Sequence, residues 1–266
     1  MKIEITFSGL CILFSLLSVL FFTGCSGSET SAQPTKTAAS VSVTESIKQA
    51  DAIYAKREDL AKLREGINLL KTVQAEDQQN FEVAWKIAQS AYFLGEHTED
   101  KDERKKAFEE GINAARAAIA IHQDKPEGHF WLGANLGGKA KINPMSGLTA
   151  INDIRQAMET VIKIDEKFQS GSAYLALGQL ELETTGLLGG DKKKALEYLE
   201  KGYQINSENS LMRLRLAEAY IANDRKDDAR KQIDYILQMK PDPNYLPEHN
   251  DSVKETKKLL EKLSQA

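Results

Sequence analysis

The residues in this sequence best suited to chemistry are few, and each has a plainer use. The run Gly186-Leu187-Leu188-Gly189-Gly190-Asp191-Lys192 places glycines ahead of a helix start, where backbone N–H groups can be aimed at an anion. No Gly-Lys-Ser/Thr follows, and Asp191 puts negative charge where the anion would sit. Asp191 as a helix N-cap, with the glycines closing a turn, accounts for the run better. Leu187 and Leu188 then either cover a helix end or grip a partner. The four histidines, His97, His122, His129 and His249, nowhere pair at i,i+4 with another ligand type, as a His-Glu-x-x-His zinc site requires. No metal or other cofactor is expected. Acids at Glu99–Glu103 and Glu109–Glu110 lie among lysines and read as solvated helix faces. No Gly-x-Ser-x-Gly elbow offers an acyl-transfer nucleophile, so the sequence predicts no enzyme and no catalytic residue.

The one side chain with a predicted covalent fate is Cys25. Residues 1–24 read as a targeting segment: Lys2 is the charged start, Ile5–Phe22 is almost wholly apolar, and Phe22-Thr23-Gly24-Cys25 closes it with small residues. This resembles a bacterial lipoprotein signal, which implies that Cys25 is lipidated and becomes the mature N-terminus. Glu4 in the charged start and Phe22 in place of the usual Leu depart from that pattern. An uncleaved membrane span is the alternative, the run being close to the roughly 20 apolar residues a span needs. The other of the two cysteines, Cys11, lies inside the apolar run, so the mature domain has no thiol for a disulfide or metal site. Residues 25–42 carry one large apolar side chain, Val41, and read as a flexible tether of about 20–25 Å.

The net charge is only −4 over 266 residues, with both signs interspersed. No basic stripe tracks phosphates, so nucleic acid is excluded as a partner.

The elements that must position everything else are helices. Ala195 and Ala229, Gly202 and Ile236, and Ser207 and Pro241 are each 34 residues apart, a period that returns small and apolar residues at helical spacing. In Ser210–Pro241 a first helix carries Leu216, Ala217 and Tyr220, and a second carries Ala229, Ile233 and Ile236. These residues resemble the tetratricopeptide repeat. Small residues there let two antiparallel helices pack closely, and one pair cannot bury its apolar face alone. Further pairs are predicted from Val43, from Phe81, from Pro126 and from near Ser170, with Asp251–Ala266 as a polar-faced closing helix. The predicted fold is therefore all-α: a tetratricopeptide-like solenoid of about five helical pairs over 43–266 with a C-terminal cap.

Within pairs the spacing is uneven. Leu216 to Ala229 is 13 residues, whereas Ala88 to Ala107 is 19, Leu132 to Ile154 is 22 and Leu177 to Ala195 is 18. Insertions in solenoids often build the binding face, which directs attention to the turns 95–103, 137–147 and 183–191. GHFWLGANLG, the turn after it, YLALGQLELE and LLGGDKKKALEYLEKG resemble the lipoprotein T component associated with TRAP transporters, and more distantly the regulator of microtubule dynamics family. The resemblance implies a lipid-anchored protein of the bacterial cell envelope, facing the periplasm or cell exterior. It implies a protein or peptide partner, in particular a periplasmic solute-binding protein, or else a ligand pore. Inner-wall positions in this register are Phe93, Phe130, Trp131, Gln179, Arg215 and Glu218, joined as partner-binding candidates by Leu187 and Leu188. Whether copies of the chain assemble with one another stays open.

Overall fold

Most of the apolar periods open at residues able to cap them. Asp59, Asn80, Asp100, Asp191 and Asn209 each accept hydrogen bonds from backbone N–H groups two or three residues on, satisfying donors that a helix start leaves bare. Pro126 opens its helix at the first turn, where its missing N–H costs nothing. The computed structural model describes residues 36–186 and 188–265; Cys25 with the segment around it, and Leu187, lie outside the described residues.

Among the described residues there are eleven α-helices and no named strand. They form five antiparallel pairs: α1 (Lys36–Tyr54) with α2 (Leu60–Glu76), α3 (Phe81–His97) with α4 (Lys101–Ile121), α5 (Pro126–Ile142) with α6 (Pro144–Ile164), α7 (Ser172–Glu183) with α8 (Lys192–Ile205), and α9 (Ser210–Ala222) with α10 (Lys226–Gln238). Helix α11 (Leu246–Gln265) follows and packs on α9 and α10. Each pair stacks on the next, and the chain is the all-α tetratricopeptide-like solenoid that its periodicity predicts. The register holds side chain by side chain. Ala195, Leu199 and Gly202 are the buried residues of α8, and Ala229, Ile233 and Ile236, each 34 positions on, are those of α10.

Two of the three predicted long turns are not turns. Only Thr98–Asp100 separates α3 from α4, and only Asn143 separates α5 from α6. The added residues lengthen the helices instead, to 17 and 21 in both pairs against 13 and 13 in α9 and α10. In the first stretch Lys and Glu favour continued helix, and in the second a proline at the first position of α6 suits a helix start. At 1.5 Å per residue the middle of the solenoid is taller by roughly 6–12 Å. Only 184–191 is a true loop, turned by Gly186 and Gly189 at φ of 85° and 79°. Gly190 there could not carry a side chain, since a Cβ would lie 2.3 Å from the Glu181 carbonyl oxygen.

Close approach between helices rests on bare backbone. Phe108, 1% exposed on α4, is held between Gly95 of α3 and Gly138 of α5, where an added Cβ would come within 2.6 Å and 2.2 Å of its ring. Asn135, fully buried on α5, donates across to the Ala88 carbonyl of α3 at 3.1 Å. Together they fix the spacing of the second and third pairs.

A paired prediction follows from two neighbouring glycines. Gly138→Ala forces the enclosed Phe108 ring to move and should cost about 1–3 kcal/mol. Gly137, where an added Cβ would meet nothing within 4 Å, should on substitution by Ala gain up to about 1 kcal/mol. Chemical denaturation checks both, and shifts of the same sign would refute the packing described.

Candidate functional site

The first helix of each pair faces inward, and between these helices lies a cavity of about 1030 Å³. Its wall takes Tyr54 from α1, Gln89 and Tyr92 from α3, Phe130 and Trp131 from α5, Leu175 and Gln179 from α7, and Leu211 from α9. Of the second helices only α6 contributes, through Ile151, Ile154 and Met158 among others. The reason lies in the stacking: α3 packs on α5 and α7 on α9, whereas α5 and α7 are linked through α6, which is thereby bared to the interior. The wall is mostly aromatic and aliphatic, as small-molecule sites generally are.

The C-terminal helix spans one side of the concavity. Arg57, in the turn between α1 and α2, is buried and forks onto Glu248 at the start of α11, with Nη2 to Oε2 at 2.7 Å and Nε to Oε1 at 3.1 Å. The guanidinium also lies 5.1 Å and 5.3 Å from the ring centres of Tyr54 and Phe93, within cation–π range. Beside it His97, at the end of α3, stacks on Phe93 at 3.9 Å and reaches Asp251 of α11 at 3.3 Å. The last helix is thus fastened to the first two pairs across 191 residues of chain. Burial pushes the phenols of Tyr54 and Tyr92 well above their usual value, so both stay neutral and polarisable in the wall.

The candidate residues from sequence divide into two groups. Phe130, Trp131, Gln179 and Leu188 line the cavity. Phe130 and Trp131 meet edge to face at 5.0 Å, and Phe130 also meets Phe168 at 5.5 Å. Gln179 donates to Glu183 at 2.6 Å. Phe93, Arg215 and Glu218 are not in the cavity wall. Phe93 lies beneath the Arg57 and His97 fastening, and Arg215 bridges Glu218 on its own helix and Glu255 on α11, each at 3.0 Å. Burial raises the Glu218 carboxyl above its usual range, with Arg215 opposing it. Arg215 therefore seats α11 on α9. Leu187 lies outside the described residues.

Two other wall residues, Arg57 and Glu248, carry no sequence signal of their own and come together only through the curvature of the stack. Gln169 and Ser170, at φ of 47° and 56°, also line the cavity. Left-handed backbone at a non-glycine residue costs of order 1–3 kcal/mol and gathers at functional sites. Asp191 caps α8, accepting from the Lys193 N–H at 2.8 Å, so the glycine loop ahead of it is a turn. Among the described residues no group of three or more His, Cys, Asp or Glu is arranged to hold a metal ion.

Comparison with known proteins adds to this geometry. The family described as Regulator of microtubule dynamics protein 1-3 matches residues 46–187, and a tetratricopeptide-repeat family matches residues 187–246. No curated protein matches the chain. Among solved structures, a thermophilic tetratricopeptide-repeat protein of Thermus thermophilus is similar at 15% identity and TM-score 0.59, over 79% of this chain and 98% of that one. The pilF protein of Pseudomonas aeruginosa is similar at 14% identity and TM-score 0.57, over 85% of this chain and 93% of that one. At these identities the likeness is one of fold.

Removing the Glu248 carboxylate leaves a buried guanidinium without its counter-charge. Glu248→Ala should therefore cost about 1–3 kcal/mol, below the fully buried case because Glu248 is partly exposed. Amide hydrogen exchange should accelerate through the first two turns of α11 and leave α3 to α6 unchanged. Unaltered protection in α11 would mean that this contact does not hold the ring closed.

Proposed function

The chain belongs to the regulator of microtubule dynamics protein 1-3 family, and from that premise we propose that it is a membrane-tethered binding protein whose helical-repeat scaffold encloses an apolar ligand. The observation that carries this reading is the cavity itself. This partly open concavity of about 1030 Å³ is spanned by α11 and lined from five first helices. Its volume is at the upper end for small-molecule sites, which run to roughly 1,000 Å³. The part of the protein in this activity is to bind, orient and shield, since apolar surface is stabilised on leaving water by about 25 cal/mol per Å².

A protein partner fits the same reading as the donor or acceptor of the ligand. Ile142, Leu148 and Leu188 are exposed at 38%, 50% and 46%, and the last two also line the cavity. Large apolar side chains at an opening support docking of another protein there, of which a periplasmic solute-binding protein of a TRAP transporter is the type proposed. Lipid on Cys25 would keep both events at the bilayer of the cell envelope.

Two experiments test the proposal. Full-length protein extracted with its surrounding membrane into polymer-bounded discs should carry a molecule absent from discs of an Ala134→Phe variant, which fills the cavity from α5. Mass spectrometry of the organic extracts reads the difference, and identical extracts would exclude the cavity as the binding site. Cys25→Ser should move the protein out of its lipid-modified form, visible as loss of labelled palmitate. Undiminished palmitate would remove the tether from the account.

A further inference from the structure

The two halves of α11 are seated by different forces. In the first half the buried residues are His249, Ser252 and Thr256, a polar stripe with Val253 half-buried beside it. The Ser252 and Thr256 hydroxyls donate to the Glu248 and Ser252 carbonyls of their own helix, at 2.8 Å and 2.7 Å. Neither is spent on the ring. In the second half Leu259, Leu260 and Leu263 pack against the core that holds Leu216, Ala217 and Tyr220 of α9.

Charged side chains carry the first half across to the scaffold. Glu248 pairs with Arg57 at 2.7 Å and Glu255 with Arg215 at 3.0 Å, while Asp251 meets the His97 imidazole at 3.3 Å. The three carboxylates are 36%, 47% and 61% exposed in that order, so water and dissolved ions reach every one of these contacts. Salt screens such pairs, and their net contribution is small. Lifting α11 also returns the Arg57 guanidinium to water, and its hydration offsets the lost contact. The burial of three leucines follows apolar area and is not screened.

The weakly held half is the half that borders the concavity. Met239, Pro241, Tyr245, Glu248 and His249 line it, so 239–256 makes one of its sides. Pro241, Pro243 and Pro247 lead into the helix, and none has a backbone N–H with which to be held. Proteins open first where few apolar contacts resist.

We propose that 239–256 is a strap that lifts from the ring by breaking these charged contacts, with Leu259, Leu260 and Leu263 left seated as its pivot, and so widens the way into the concavity for the ligand. This inference rests on the proposed function and adds the route of entry.

The test uses the full-length chain in polymer-bounded discs at about 0.1 M and about 1 M sodium chloride, between which the screening length falls from about 10 Å to about 3 Å. Amide hydrogen exchange in 239–256 should quicken about tenfold at the higher salt, equivalent to about 1.4 kcal/mol, while 257–263 and α3 to α6 keep their rates. Glu255→Lys, which sets a cation against Arg215, should quicken 239–256 already at the lower salt. Leu260→Ala, which loosens the pivot, should instead quicken 257–263. Access is read with Ala134→Cys in the cavity wall and N-(1-pyrenyl)maleimide, an uncharged probe, with labelling of 126–142 mapped by mass spectrometry. Its rate should rise severalfold with salt. Unchanged exchange in 239–256, equal acceleration of 257–263 by salt, or labelling indifferent to salt would overturn the proposal. If the strap opens as described but membrane extracts of the native protein hold no cavity molecule, the binding function fails and the strap stands.

Discussion

A solenoid of helical pairs is by construction an open object, since each pair touches only its neighbours. The interaction that ties the two ends of this one together is the fork of Arg57 onto Glu248, which joins the first intra-pair turn to the last helix. A guanidinium this deeply buried keeps its charge without severe cost only when a carboxylate meets it in good geometry. That requirement fixes where α11 must lie. The position of α11 in turn decides how far the concave face is covered. Tyr54 and Phe93 beneath the guanidinium, His97 with Asp251 beside it, and Arg215 with Glu255 farther along α11 all serve the same seat.

Much of the fold was legible in the sequence because helix stacking leaves a periodic trace. Ala195 and Ala229 are alike because each lets a second helix approach a first, and a spacing of 34 residues is read without any structure. Pro126 and Asn209 are legible for another reason, as residues suited to the start of a helix. The added residues near 98 and 143 were legible as insertions but not as helix. Separation along the chain measures only how many residues intervene, and Lys, Glu and Ala permit either a loop or further turns.

The candidate site was legible only in part. Phe130 and Trp131 are large and aromatic on a first helix, so the inner wall could be inferred for them by register. Arg215 and Glu218 sit in the same register yet serve α11, because a helix added after the last pair covers positions that would otherwise face inward. Arg57 and Glu248 carry no local pattern. They meet across as many as 191 residues, and that meeting depends on the summed curvature of five pairs, a quantity that no short window contains. Gly137 is the opposite case: in sequence it is one small residue among several, and only the emptiness opposite it separates it from Gly138, which is glycine for Phe108.

These features bear on one another energetically. The concave space forgoes packing, Gly137 forgoes helix propensity, and Gln169 and Ser170 hold a disfavoured backbone. Each costs on the order of 1 kcal/mol, and all of them surround one cavity in a scaffold otherwise packed tightly about alanine and glycine. The most direct measurement is the electron density inside the ring for protein crystallised from its own membrane without exchange into a foreign detergent. Continuous density for a bound molecule in that space, with α11 seated on Arg57, is the predicted result. Discrete water peaks alone in that space, or α11 lying away from Arg57 with the concavity open, would contradict the account.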